Sequence, residues 1–211
     1  MRFFVALDID EAIQQRLDNY VRTLQPRLPG VRFVRSNTYH VTLKFLGELP
    51  SADAVREQLR DIRAPRFDIT VGGVGFFPNA RAPRVFWAGI RGGVGASDLS
   101  ANSAEINAPA LTMLAHSVDQ ALQSLDFLPE REFHPHLTLA RNGSGRPRRR
   151  PGEQPAEGHP PDAFAQLSEL VASAPAPEFG TMTAREFFLY ESKLSSSGPS
   201  YSKLEAFELA G

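Results

Sequence analysis

Residues 3–7 form a short apolar run, and Ile13, Leu17, Tyr20, Val21, Leu24 and Leu28 follow at spacings of three and four. The run has the length of a strand and the spacing is one stripe of an amphipathic helix, so the chain opens strand then helix. After Pro29-Gly30, a second apolar stretch at 31–34 gives way to a polar turn at Ser36-Asn37. In residues 40–46, Val41, Leu43 and Phe45 alternate with His40, Thr42 and Lys44. That alternation predicts a half-buried strand with one polar face, and its parity puts Phe45 in the core. Gly47 ends the strand, and Ser51 stands at the N-cap position of a second helix carrying Val55, Leu59 and Ile62. Two further strands are predicted at 67–71 and 84–90.

From Ala110 the helical spacing returns with Leu111, Leu114, Val118, Leu122 and Leu125, and leads to another alternating strand at His136–Arg141. The order of the first half therefore recurs. The connection 92–108 is rich in small residues. Residues 142–162 are rich in Gly, Pro and Arg with almost no apolar positions, and read as disordered or a mobile loop. A helix near Ala163–Ala172 and two late strands, at 185–191 and 201–209, complete the chain around a turn at 195–199. The whole reads as one α+β domain spanning 1–211, built as two lobes of sheet and helices.

Composition narrows the chemistry. The 211 residues carry 23 basic and 24 acidic side chains, a formal net charge of -1, with 42% apolar residues to build a core. A binder that coats nucleic acid through a general excess of Lys and Arg is thereby excluded, and any polyanion must be met by a local site. No cysteine is present, which removes disulfides, thiolate catalysis, Fe-S clusters and Cys-ligated zinc. The opening apolar run is cut short at Asp8 and Asp10, too early for a membrane span or a signal-peptide core. A cytoplasmic setting without membrane contact is the expectation.

The informative feature is a tetrapeptide that occurs twice, His40-Val41-Thr42-Leu43 at 40–43 and His136-Leu137-Thr138-Leu139 at 136–139. A shuffled chain of this composition would hold roughly 0.02 copies of His-x-Thr-Leu, so two are a strong signal. On a strand, a His and a Thr two residues apart share one face at about 6.5 Å. Two such strands side by side would bring two imidazoles and two hydroxyls to one volume. Paired histidines suit phosphate-ester hydrolysis: one takes a proton from water and the other gives one to the leaving oxygen. The hydroxyls of Thr42 and Thr138 would bind the non-bridging phosphate oxygens.

The segments His40-Val41-Thr42-Leu43-Lys44-Phe45-Leu46-Gly47 and Phe133-His134-Pro135-His136-Leu137-Thr138-Leu139-Ala140-Arg141 resemble the two signatures of the 2H phosphoesterases, specifically the RNA 2′,3′-cyclic phosphodiesterases also described as 2′-5′ RNA ligases. Arg2-Phe3-Phe4-Val5-Ala6-Leu7-Asp8 is similar to the family's first strand, more loosely. Phe77-Pro78-Asn79, Pro83-Arg84-Val85, Leu189-Tyr190-Glu191-Ser192 and Ser197-Gly198-Pro199-Ser200-Tyr201 extend the likeness over most of the chain. The resemblance implies a bilobal fold of two pseudo-symmetric lobes, each an antiparallel sheet with helices outside, around a central cleft. It implies hydrolysis of cyclic phosphate ends of RNA or oligonucleotides to a 2′-phosphate, without metal or other cofactor, and reversible 2′-5′ joining. It also implies His40 as proton donor and His136 as proton acceptor, in a chain read as a monomer. Three departures bear on substrate size and base preference: the connection 92–108 and the stretch after Arg141 are longer than the family's, and Phe33 stands where a tryptophan is common.

Other positions carry weaker signals. Lys44 shares strand parity with His40 and Thr42 and is a candidate phosphate contact. Arg141 has the opposite parity from His136 and is expected to face away unless the strand bulges, though the resemblance makes it a candidate substrate contact. His134 shares parity with His136, so a metallohydrolase using His134, His136 and His40 is a rival reading. A second rival is a non-catalytic module gripping RNA ends through Thr42, Thr138 and arginines. The cluster Arg146, Arg148, Arg149 and Arg150 is a candidate RNA tether, and Phe76 or Phe77 a platform for a terminal base. His116 and His159 are assigned no role.

Overall fold

The computed structural model describes residues 1–92, 108–128, 132–142, 163–195 and 198–211. The strands are β1 (Arg2–Asp8), β2 (Arg32–Phe33), β3 (His40–Glu48), β4 (Phe67–Phe77), β5 (Val85–Gly92), β6 (His136–Arg141), β7 (Glu178–Ala184), β8 (Glu186–Ser195) and β9 (Gly198–Glu208). The helices are α1 (Glu11–Leu24), α2 (Asp53–Arg60), α3 (Pro109–Leu122) and α4 (Ala163–Ala172). All strands join one antiparallel sheet in the order β7-β4-β5-β6-β3-β1-β8-β9, with the short β2 paired to β6. The order is palindromic about the β6/β3 seam: β5 matches β1, β4 matches β8, and β7 matches β9. At the seam itself the register rests on Val41 opposite Leu137.

One face of the sheet packs against the helices. Phe3, Val5 and Leu7 of β1, Phe86, Ala88 and Ile90 of β5, and Phe187 and Leu189 of β8 join Ile13, Leu17, Val55, Leu59, Leu111, Val118 and Phe164 in one core. Each fully buried Leu, Ile or Phe there contributes about 1.5–3 kcal/mol over its exposed state. The opposite face of β1 and β8 carries a second cluster of Phe4, Ala6, Phe188 and Tyr190, with Tyr201 packed against it. Burial on both faces explains why β1 reads as an unbroken apolar run rather than an alternating one.

Several expectations shift. The N-cap of α2 is Ala52, one residue later than expected, although the Ser51 hydroxyl still accepts the Asp53 N–H at 3.1 Å. β4 runs six residues beyond the expected end at Val71, because a bulge at Gly73 (φ +65°) restores inward parity to Val74 and Phe76. β7 is an addition to the expected elements: its buried Phe179, Met182 and Ala184 lose strict alternation around Gly180, so period-2 patterning does not expose it. Most of 142–162, with the arginine cluster and His159, lies outside the described residues. Among the described residues no helix is long and apolar enough to cross a membrane.

Candidate active site

The two motifs occupy equivalent places, His40–Leu43 opening β3 and His136–Leu139 opening β6. In both, the His and Thr are partly buried on one face while the residues between and after them are buried on the other. Extending the antiparallel seam by one residue from Val41 and Leu137 sets His40 across from Thr138 and His136 across from Thr42. Cross-strand neighbours on one face have Cβ atoms about 4.5–5.5 Å apart, so each histidine stands across the seam from the threonine of the other motif.

The imidazoles are held identically. His40 Nδ1 lies 2.7 Å from the Thr38 carbonyl oxygen, and His136 Nδ1 lies 2.6 Å from the His134 carbonyl oxygen. A carbonyl only accepts, so each Nδ1 carries the proton and each Nε2 is left to exchange protons in the cleft.

Both strands bulge at the leucine that ends the motif, and the bulge corrects three expectations. Thr42 pairs with Ala6 while Lys44 pairs with Val5, leaving Leu43 as the extra residue; likewise Thr138 pairs with Trp87 and Ala140 with Phe86, leaving Leu139 extra. Beyond each bulge the parity reverses. Lys44 therefore turns away from His40 into the interior, 3% exposed, where Nζ lies 2.6 Å from Asp119 Oδ1 and donates to the Leu128 carbonyl at 2.6 Å. It is a structural cation on the far side of the sheet from the cleft. Phe45, expected in the core, is 60% exposed on the cleft face, with its ring centroid 6.4 Å from that of Phe4. Arg141 also turns to the cleft face, where Nη2 donates to Thr138 Oγ1 at 3.4 Å.

Aromatic rings fix the surroundings of each imidazole. His40 lies 4.8 Å from Phe4, 5.2 Å from Tyr201 and 6.4 Å from Tyr190, centroid to centroid, and Phe4 stacks on Tyr190 at 5.0 Å. His136 meets Phe77 edge to face at 4.9 Å, and Phe77 packs on Trp87 at 5.2 Å. Phe76 instead stacks on core Phe86, so of the two neighbouring phenylalanines Phe77 is the one at the cleft. Room for the Trp87 indole depends on Gly75: a Cβ there would sit 2.3 Å from Trp87 Cζ2.

Burial lowers the pKa of both histidines, and it is the largest influence on each. For His40 the Thr38 carbonyl and the Asp8 charge pull the value back up, while Arg141 and His136 add to the lowering. For His136 the His134 carbonyl pulls it up, while Arg141 and His134 push it down.

His134 serves through its backbone. Its ring is exposed and lies 3.3 Å from Glu132, and among the described residues no group of three His, Cys, Asp or Glu is arranged to hold a metal. The metallohydrolase constellation of His134, His136 and His40 is thus not assembled. Sequence reasoning gives no role to Phe4, Asp8, Tyr190 and Tyr201, which surround His40, because they arrive from strands distant in the chain.

A family model described as LigT-like phosphoesterase matches residues 7–87 and 104–201, and both motifs lie inside the matched segments. The interval between them overlaps the connection read as longer than usual. An RNA 2′,3′-cyclic phosphodiesterase of Archaeoglobus fulgidus is 32% identical over 210 residues, covering 99% of this chain and 100% of the relative. Among solved structures, a Thermus thermophilus protein matches with a TM-score of 0.71 at 26% identity, covering 100% of this chain and 99% of that one. E. coli LigT complexed with 3′-AMP matches with a TM-score of 0.69 at 26% identity, covering 100% and 98%.

Proposed function

The chain belongs to the LigT-like phosphoesterase family, the 2H phosphoesterases, and from that premise we propose that it hydrolyses RNA or oligonucleotide 2′,3′-cyclic phosphate ends to 2′-phosphates by two-histidine acid-base catalysis. The observation that carries this reading is the paired cradle: two imidazoles pinned through Nδ1 to the carbonyl two residues earlier, each across the seam from the other motif's threonine. A single chain furnishes both halves. His136 Nε2 takes a proton from the attacking water as the oxygen bonds to phosphorus. The P–O3′ bond breaks, and His40 gives its proton to the departing O3′. Thr42 and Thr138 hold the non-bridging oxygens, joined by the Arg141 guanidinium beside Thr138. With an RNA 5′-hydroxyl in place of water, His136 takes the proton of that hydroxyl as its oxygen bonds to phosphorus, the same P–O3′ bond breaks, and the same groups support 2′-5′ joining.

In-line displacement puts the leaving O3′ and its ribose on the His40 side of the phosphorus and the water on the His136 side. The exposed Phe45 ring lies on the His40 side and offers a stacking face for the terminal base, whichever base that is. The relative's name, RNA 2′,3′-cyclic phosphodiesterase, and the 3′-AMP bound by E. coli LigT support this substrate class. The test is a short oligonucleotide with a 2′,3′-cyclic end, incubated with and without EDTA. A 2′-phosphate product in both is expected. A 3′-phosphate product, or turnover abolished by chelation, overturns the mechanism.

A further inference from the structure

We infer that Asp8 is the positioning residue that makes two otherwise equivalent histidines unequal, its carboxylate standing beside His40 and holding that imidazole in the proton-donor state. The inference rests on the reading of the cleft as an acid-base pair and says which structural difference assigns the roles.

The palindromic sheet makes the comparison direct. Across β1 and β3 the residue opposite His40 is Asp8; across β5 and β6 the residue opposite His136 is Gly89. The two cradles share the Nδ1 bond to a carbonyl two residues back, the bulge at the motif's leucine and the aromatic ring against the imidazole. One cradle has a carboxylate at its side and the other has no side chain there at all.

The carboxylate is itself held. The Tyr190 hydroxyl donates a hydrogen bond to Asp8 Oδ1, and Lys203 Nζ lies 2.5 Å from Oδ2 while sitting 3.9 Å over the Phe188 ring. Tyr190 is kept neutral, since burial and then Asp8 raise its pKa. The groups facing His40 are thus Asp8 from β1, neutral Tyr190 from β8, Tyr201 and the Asp8-bound Lys203 from β9, and His136 and Arg141 from β6. Of the charges among these, Asp8 alone favours a protonated His40, and it opposes the burial, Arg141 and His136 that disfavour it. A donor must hold its proton when substrate binds and an acceptor must not, so the cradle with the anion is the donor's.

The test is titration of the histidine Cε1–H resonances in the full chain, together with the pH dependence of turnover on a 2′,3′-cyclic end. In Asp8→Asn, which keeps the shape and an acceptor for Tyr190, His40 should titrate lower by about one pH unit while His136 moves little. The alkaline limb of the rate profile, where the donor loses its proton, should move down with it, costing about tenfold in rate one unit above the wild-type limb. A merely structural role would lower the rate at every pH and leave the limb in place. Lys203→Met, which frees the Asp8 charge, should move His40 the other way. It decides the question if Asp8→Asn does not fold. An unmoved His40, or equal shifts in both histidines, in an active enzyme overturns the role of Asp8. Absence of turnover by the wild-type chain overturns the acid-base reading instead.

Discussion

Phe45 and Arg141 occupy the same place in the two halves of the cleft, each the second residue beyond a bulge at the leucine of a His-x-Thr-Leu motif. One half thus sets an aromatic face next to the proposed phosphate site and the other a guanidinium. Phe45→Ala should raise KM for a cyclic-phosphate dinucleotide about tenfold, the lower end of what base stacking supplies, with a smaller change in kcat. Arg141→Gln should depress kcat by about 10²-fold if it steadies the charge that builds on phosphorus. Steady-state kinetics on one substrate separates the two.

The proposed donor and acceptor should differ in their dependence on the leaving group. His40→Ala should lose most with an alkoxide leaving group and recover in part with p-nitrophenolate, which departs without protonation. His136→Ala should show no recovery, because water still has to be activated. Thr42→Ala or Thr138→Ala should each cost on the order of 10²–10³ in rate, for one lost transition-state hydrogen bond. Parallel assays on a cyclic phosphate and a p-nitrophenyl diester check all four. Recovery in His136→Ala alone reverses the roles.

The histidines also link stability to pH. Both have a folded pKa below the ordinary value, so near and below pH about 6.5 the unfolded chain binds more protons than the folded one. Their contribution is complete above that value and declines as pH falls through it. Urea unfolding between pH 7.5 and 5.5 should show this loss, and the double variant His40→Gln/His136→Gln should show less of it. An equal slope in the double variant would assign the pH dependence to other groups.

Lys44 gives a contrasting expectation. It lies buried with Asp119 and on the far side of the sheet from the cleft, so Lys44→Met should cost stability of about 3–5 kcal/mol, as breaking a buried ion pair does, while KM for the cyclic end holds. Denaturant unfolding alongside kinetics reads both. A raised KM with unchanged stability would restore the phosphate contact that strand parity suggests.

Much of this architecture is legible in the chain because two signals repeat. The duplicated His-x-Thr-Leu sits on strands, and α4 and β6 begin and end where patterning predicts. What patterning misses is local and physical. A bulge adds one residue without changing composition, so strict alternation past Leu43 and Leu139 misplaces Lys44, Phe45 and Arg141 together. The adjacent buried pair Leu139-Ala140 is the visible clue, since an alternating strand should not place two small or apolar residues inward in succession. Asp8 and Tyr190 escape for another reason: 182 positions separate them, and only the pairing of β1 with β8 makes them neighbours.

That pairing has a consequence in time. Of the described strands β1 is made first, yet it lies inside the sheet between β3 and β8. Until residues 186–195 leave the ribosome, the Phe4 and Ala6 face lacks Phe188 and Tyr190, and β1 presents an open apolar edge. The other half waits in the same way for β7 to seal β4. Neither half of the cleft is therefore complete before the closing strands of the chain have been synthesised. From the synthesis of His136 until β8 has emerged, the nascent protein carries both histidines without a finished cleft, so the proposed catalysis awaits the docking of those strands.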